Sequence, residues 1–392
     1  MAPSAQAASI TRTSGIEVLN SLKQYYSVPD FKIGGTYEFG NESAYDFGGS
    51  GGVTLESLGS APLRTAYIAV GTPRKDARGE IINAVIISPY YSGDASFMYD
   101  FWYEGQSGND FAKGAVVGPG KMIDTDKYHV IFLDALGLWG TSKPSDGLGM
   151  NFPKYNCQDY VQANYRLLKD HLKVGKIKLA TGVSMGAIQS YVWAVLHPDD
   201  VEAILPVGGV ADSDPVSQWL FQLMTAAMQS DPAWRDTKGN YYHLPKGRHP
   251  NQGMMFGWSI LRHTGLGFDM RIQQGPDIVK KEVFYWEPQG DQGVDLTGTG
   301  KDFDVKDLLY RNQAGALFDI RNQLQRIKAR TLILHVKNDQ WLRHVLAEEA
   351  ARMIRGSKQE SIESPLAHYA LFRVPNALQE QIMVFFKEIG MQ

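Results

Sequence analysis

The chain has 392 residues, 43% hydrophobic and 21% charged, and its 39 basic and 42 acidic side chains leave a formal net charge of −3. This composition excludes wholesale disorder, and a near-neutral balance without blocks of like charge gives no reason to expect nucleic acid as a partner. A lone cysteine, Cys157, excludes both an intrachain disulfide framework and a cysteine-rich zinc module, and no apolar run reaches the roughly 18 residues that a membrane span needs.

In chain order, Met1 to Ser9 has the small residues of a signal-peptide cleavage region, but no charged or apolar stretch precedes it. The expected location is therefore cytoplasmic; periplasmic or secreted is the alternative if these residues are the stump of a removed signal. Ile16 to Tyr26 suits a short helix, and Gly34 to Gly59, rich in glycine and aromatic residues, reads as an edge region. Leu63–Val70, Asn83–Ser88, Tyr128–Ala135 and Ile177–Val183 are short apolar, β-branched runs of the kind buried on both faces of a parallel sheet. Helical spacing follows at Tyr160–Leu172 and at Met185–Leu196, the latter stopped by His197-Pro198. A strand at Val201–Val207 ends the regular alternation. It resumes with a strand at Thr331–Val336, a helix at Trp341–Ile354 capped by Gly356, a last strand at Gln359–Glu363 and a last helix at Asn376–Ile389. Four expected units follow: an extension and edge region (1–52), the first part of an α/β core (53–210), a helical insertion (211–322) and the second part of the core (323–392).

Gly182-Val183-Ser184-Met185-Gly186 fits G-x-S-x-G and sits between a predicted strand and a predicted helix. That context turns the serine hydroxyl out of the sheet at a sharp bend and sets it at a helix N-terminus, which favours developing negative charge. Gly48-Gly49-Ser50-Gly51-Gly52 satisfies the same pattern with neither element beside it and reads as a flexible turn. Serine needs a base oriented by an acid, in the chain order Ser, Asp/Glu, His. Asp339, just past the strand Thr331–Val336, suits the acid, and His368, between the last strand and the last helix, suits the base. Asp212, Asp214 and Glu363 are the rival acids. The oxyanion donors are expected to be the backbone N–H groups of Met185 and, from the loop Pro89-Tyr90-Tyr91-Ser92-Gly93-Asp94, of Tyr91. No phosphate-cradling loop and no metal-ligand spacing is present, so neither metal nor cofactor is expected.

Several segments together resemble the homoserine O-acetyltransferases: Tyr91-Ser92-Gly93-Asp94-Ala95, Gly118-Pro119-Gly120-Lys121, Ile123-Asp124-Thr125, Leu136-Gly137, Gly140-Thr141-Ser142, Phe152-Pro153 and Gly182 to Gln189. The resemblance covers Val53 to Val210 well and the carboxyl third more loosely. It implies an α/β-hydrolase fold, a mostly parallel central sheet flanked by helices with an inserted helical lid, often a dimer through that lid. It also implies a ping-pong acyl-serine mechanism on Ser184 with Asp339 and His368.

Two departures redirect the substrate. Where the family has Thr-Tyr-Arg-Ser in the lid, with the arginine holding a substrate carboxylate, this chain has Thr264-Gly265-Leu266-Gly267, and Val183 and Ala187 replace glycines of the family's Gly-Gly-Ser-Met-Gly-Gly. Without that bidentate clamp, homoserine is a poor expected acceptor unless Arg262, Arg271 or Arg248 substitutes. The chain then looks like an esterase member of the family, cleaving small, mainly uncharged esters in a pocket roofed by Trp219, Leu220, Met224, Trp258 and Leu266. The alternative is an O-acyltransferase carrying an acetyl group from acetyl-CoA to an alcohol such as homoserine.

Overall fold

A computed structural model of the chain describes residues 21–34, 52–105, 114–276 and 303–391. Met1 to Ser9, the glycine-rich Gly48 to Gly51 and residues 277–302 of the insertion lie outside the described residues.

The centre is an eight-stranded sheet in the order β1 (Gln24–Val28), β2 (Leu63–Val70), β6 (His129–Leu133), β3 (Ala84–Ser88), β7 (Ile177–Val183), β8 (Ala203–Val207), β9 (Arg330–Val336) and β10 (Lys358–Ile362). A separate parallel pair, β4 (Val117–Gly118) and β5 (Ile123–Asp124), lies outside it. From β6 to β10 all pairings are parallel, and β1 and β2 are added antiparallel at one edge. Every residue of β3, β6 and β8 is buried, as continuous apolar strands covered on both faces must be. One packed cluster covers each face of the sheet.

The helix expected at Ile16–Tyr26 is corrected at its carboxyl end. Residues 16–20 are outside the described range, and Gln24 to Val28 form β1, with Gln24 opposite Tyr67 and Val28 opposite Leu63. Tyr25, Tyr26 and Val28 favour an extended backbone, and the segment is pinned by Lys23, whose ammonium lies 2.5 Å from Asp94 and 2.9 Å from Asp134. Burial alone would lower the Lys23 pKa, but the two carboxylates outweigh it and raise it. The last helix likewise comes in two pieces, Val374–Ala377 and Gln379–Glu388, because the chain turns at Leu378.

Between β8 and β9 the described insertion is helical. Pro215–Gln229 packs against both Asn251–Gly265 and Val305–Ala316 over the carboxyl ends of the strands. Two glycines let the first pair approach closely: a Cβ on Gly253 would sit 2.8 Å from the Ala227 carbonyl oxygen, and one on Gly257 2.9 Å from that of Met224. No helix among the described residues is long and apolar enough to cross a membrane.

Candidate active site

The strand-to-helix bend forms where the sequence places it. β7 ends at Val183, the helix Met185–Leu196 starts at Met185, and Ser184 between them has φ 57° and ψ −119°. A positive φ is costly for a residue with a Cβ and is held here by its neighbours: Ser184 N–H donates to the Val207 carbonyl at 2.9 Å, and Ala187 and Ile188 donate to the Ser184 carbonyl. The flanking glycines are required by close approach, since a Cβ on Gly186 would stand 2.2 Å from the Ser88 carbonyl oxygen and one on Gly182 2.6 Å from it. Ala187 in place of a further glycine is accommodated because residue 209 is glycine; a Cβ there would lie 2.7 Å from that of Ala187.

Asp339 and His368 converge on this bend from the ends of β9 and β10. One Asp339 oxygen, Oδ1, accepts from the backbone N–H groups of Trp341 (2.8 Å) and Leu342 (3.1 Å), which aims Oδ2 at His368 Nδ1, 2.7 Å away. His368 sits in a short 3-10 turn, Ala367–Phe372, rather than in an open loop, with Nε2 3.0 Å from Ser184 Oγ. Burial pushes the Asp339 carboxyl up, but the charge and hydrogen bond of His368 outweigh it and hold it below the ordinary carboxylate range. An ionised Asp339 accepts from Nδ1–H, so Nε2 carries the lone pair that faces the serine hydroxyl. None of the rival acids pairs with His368 among the described residues: Asp212 lies 3.5 Å from Arg321, Asp214 caps the Pro215–Gln229 helix and pairs with Arg343, and Glu363 is exposed.

Ser184, Met185, Tyr91 and His368 line one cavity of about 110 Å³. Neither the Met185 nor the Tyr91 amide has a backbone partner among the described residues. The cavity wall is mostly apolar, with Leu220, Phe221, Trp258, Leu261 and Trp341 prominent, and it includes no lysine or arginine. Its one carboxylate, Asp212, is raised by burial against the opposing effect of Arg321.

Of the expected roof, Trp258 and Leu220 line this cavity and three residues do not. Trp219 is 69% exposed on the outer face of its helix, Met224 is buried against the Asn251–Gly265 helix, and Leu266 is buried away from the cavity. Arg248, Arg262 and Arg271 also stay outside it, Arg271 donating to the Arg262 carbonyl.

Sequence reasoning missed Trp341. Its ring centroid lies 4.2 Å from that of His368, and its indole N–H donates to Thr264 Oγ1 at 2.7 Å, joining the acid loop to the inserted helices. Gly265 makes room for it: a Cβ there would lie 2.6 Å from both Trp341 and Tyr369. The glycine that breaks the family's Thr-Tyr-Arg-Ser pattern was the available signal. Among the described residues no group of three or more His, Cys, Asp or Glu side chains is arranged to hold a metal.

No family model matches the chain. A homoserine O-acetyltransferase of Methanosalsum zhilinae is 30% identical over 298 residues, or 71% of this chain, which spans 58% of that relative's length. One of Desulfotalea psychrophila is 28% identical over 353 residues, covering 82% of this chain and 87% of the relative. The solved structure of an acetylester hydrolase from Corynebacterium glutamicum matches with a TM-score of 0.72 and 20% identity, covering 95% of this chain and 97% of that one. The sheet order, the bend at Ser184 and the structural match give the chain the α/β-hydrolase fold. Within that fold, the curated relatives named homoserine O-acetyltransferase, at about 30% identity, are what the chain is similar to.

Proposed function

We propose that this protein is a serine hydrolase of small, mainly uncharged carboxylic esters. Ser184 Oγ attacks the ester carbonyl while its proton passes to His368 Nε2. Asp339 holds the imidazole in the required tautomer and balances the imidazolium. The tetrahedral oxyanion is received by the Met185 and Tyr91 amides. It collapses with cleavage of the bond to the alkoxy oxygen, which takes the proton back from His368 and leaves as alcohol. Water, deprotonated by the same imidazole, then releases the acid and restores Ser184.

The observation that carries the ester reading is a Ser184–His368–Asp339 line that opens onto an apolar cavity without a cationic side chain. A substrate carboxylate buried there would meet no lysine or arginine in the cavity wall to pair with directly, and a buried charge without such a partner is costly. In this reading the inserted helices act as a lid. The stripe Val216, Trp219 and Leu223 on its outside, each 44% exposed or more, supports self-association through it.

The second reading, acetyl transfer from acetyl-CoA to an alcohol such as homoserine, is favoured by the names of the curated relatives and shares the covalent half-reaction. A kcat/KM series on neutral acetate and butyrate esters beside O-acetylhomoserine, with and without CoA or homoserine, separates the two. Hydrolysis of neutral esters indifferent to either additive fits the ester reading, and a clear preference for O-acetylhomoserine overturns it.

A further inference from the structure

The helix Val305–Ala316 carries a charge that the mechanism above does not use. Arg311 is 0% exposed and forms no ion pair among the described residues. Its Nη2 donates to the Ala135 carbonyl, just beyond β6 (3.1 Å), and its Nη1 points at Met185 Sδ (3.7 Å). The guanidinium carbon stands 4.9 Å from the centroid of the Tyr160 ring, and Nε has no hydrogen-bond partner among the described residues. A guanidinium stays protonated in proteins, and a buried cation without a counter-ion costs the fold more than one carbonyl contact returns.

Its neighbours do not neutralise it. Burial pushes the Cys157 thiol up to about 12 and the Tyr155 and Tyr160 phenols above their ordinary value. One turn back, Asp307 is pushed up to about 8 by burial and by Asp304.

The next residue completes the pattern. Asn312 Oδ1 accepts the Tyr91 hydroxyl at 2.5 Å, and Asn312 Nδ2 donates to Thr225 Oγ1 on the helix Pro215–Gln229 at 3.2 Å. Two consecutive side chains therefore grip Met185 and Tyr91, two residues that line the cavity beside Ser184. Met185 carries its amide at the start of the helix that follows Ser184, so the buried cation lies against the residue that would meet a developing oxyanion.

We propose that Arg311 is the positioning residue of the oxyanion hole, setting Met185 with an unneutralised positive charge behind it while Asn312 locks Tyr91. The inference rests on Ser184 being the nucleophile. Preorganised positive potential acts where charge develops in the transition state and does little for the neutral ground state, so its loss appears in kcat rather than in KM.

The test uses the full chain with p-nitrophenyl acetate and compares wild type, Ser184→Ala, Arg311→Met and Arg311→Lys. Each is also titrated with a trifluoromethyl ketone, whose adduct with serine carries an oxyanion. Arg311→Met is expected to lower kcat on the order of 10²-fold and to weaken the ketone similarly, with KM within about twofold. It should melt at or above the wild-type temperature, because the unpaired buried charge is gone. Arg311→Lys, which keeps the charge and loses the fork, should recover part of the loss. A purely structural arginine gives the reverse, a lower melting temperature with unchanged kcat, and that result overturns the proposal. Should Arg311→Met not fold, Arg311→Lys alone decides: reduced kcat at unchanged KM supports the assignment and wild-type kcat overturns it. Wild-type turnover by Ser184→Ala would instead strike down the nucleophile reading, a failure distinct from that of Arg311.

Discussion

Replacing Asp339 with asparagine should disable the enzyme with little effect on the fold. In the native site, Oδ1 accepts from the Trp341 and Leu342 amides while Oδ2, 2.7 Å from His368 Nδ1, accepts from the imidazole. An asparagine keeps the first two bonds only by leaving its oxygen toward those amides, which turns Nδ2 toward His368. That NH₂ group donates to Nδ1, so the ring proton moves to Nε2, the atom 3.0 Å from Ser184 Oγ, and the base is blocked. The loss seen for this tautomer reversal in a serine protease of another fold is on the order of 10⁴ in kcat, equivalent to about 5 kcal/mol of transition-state stabilisation. Steady-state hydrolysis of p-nitrophenyl acetate, read beside the thermal melt, measures both halves of the expectation. A kcat within about tenfold of wild type in a folded Asp339→Asn protein would refute the tautomer argument. So would a larger loss from Asp212→Asn than from Asp339→Asn.

Ser184→Gly should be inactive yet melt above Ser184→Ala, by about 1 kcal/mol, because glycine adopts the 57° φ of the bend without strain; equal melting temperatures would contradict it. Asp307, raised to about 8 chiefly by burial, keeps its proton in the fold while the unfolded chain releases it near an ordinary carboxylate pKa. Wild-type stability is therefore expected to fall as pH rises from about 4 through about 8, and Asp307→Asn, still able to pair with Ser145, should flatten that slope in denaturant melts across the range. Trp258→Ala enlarges the apolar wall, and kcat/KM for butyrate or hexanoate esters should rise relative to acetate by up to about tenfold; an unchanged ratio would show that the acyl chain lies elsewhere.

What could be read from the sequence follows how local the determinants are. β7 and the helix after Ser184 have the expected bounds because a continuous apolar run, a glycine-flanked serine and His197-Pro198 each act within a few residues. Asp339 and His368 could be picked out because chain order and the ends of two strands locate them before any contact is known. The first strand could not: Gln24 to Val28 carry no alternation, and their conformation is set by pairing with β2 and by the distant Asp94 and Asp134. The cavity roof failed for a related reason. The helix Pro215–Gln229 is apolar over more than half of its circumference, with Gln218, Gln222, Thr225 and Gln229 on one side, so periodicity does not say that Leu220 and Phe221 face the cavity, Met224 the neighbouring helix and Trp219 the outside. Arg311 carries no pattern at all; a lone arginine reads as surface until the helix around it is seen to be buried.

Acyl transfer to Ser184 is the step on which the rest depends, and rapid quenching of the wild-type enzyme with p-nitrophenyl acetate, followed by peptide mass spectrometry, tests it most directly. The expected result is one acetyl group on the peptide carrying Ser184, formed with the burst of p-nitrophenol and lost as the acyl-enzyme turns over in water without added CoA or homoserine. Turnover with no acetyl on that peptide would contradict the acyl transfer, and an acetyl group stable in water until an alcohol acceptor is supplied would contradict the hydrolase reading.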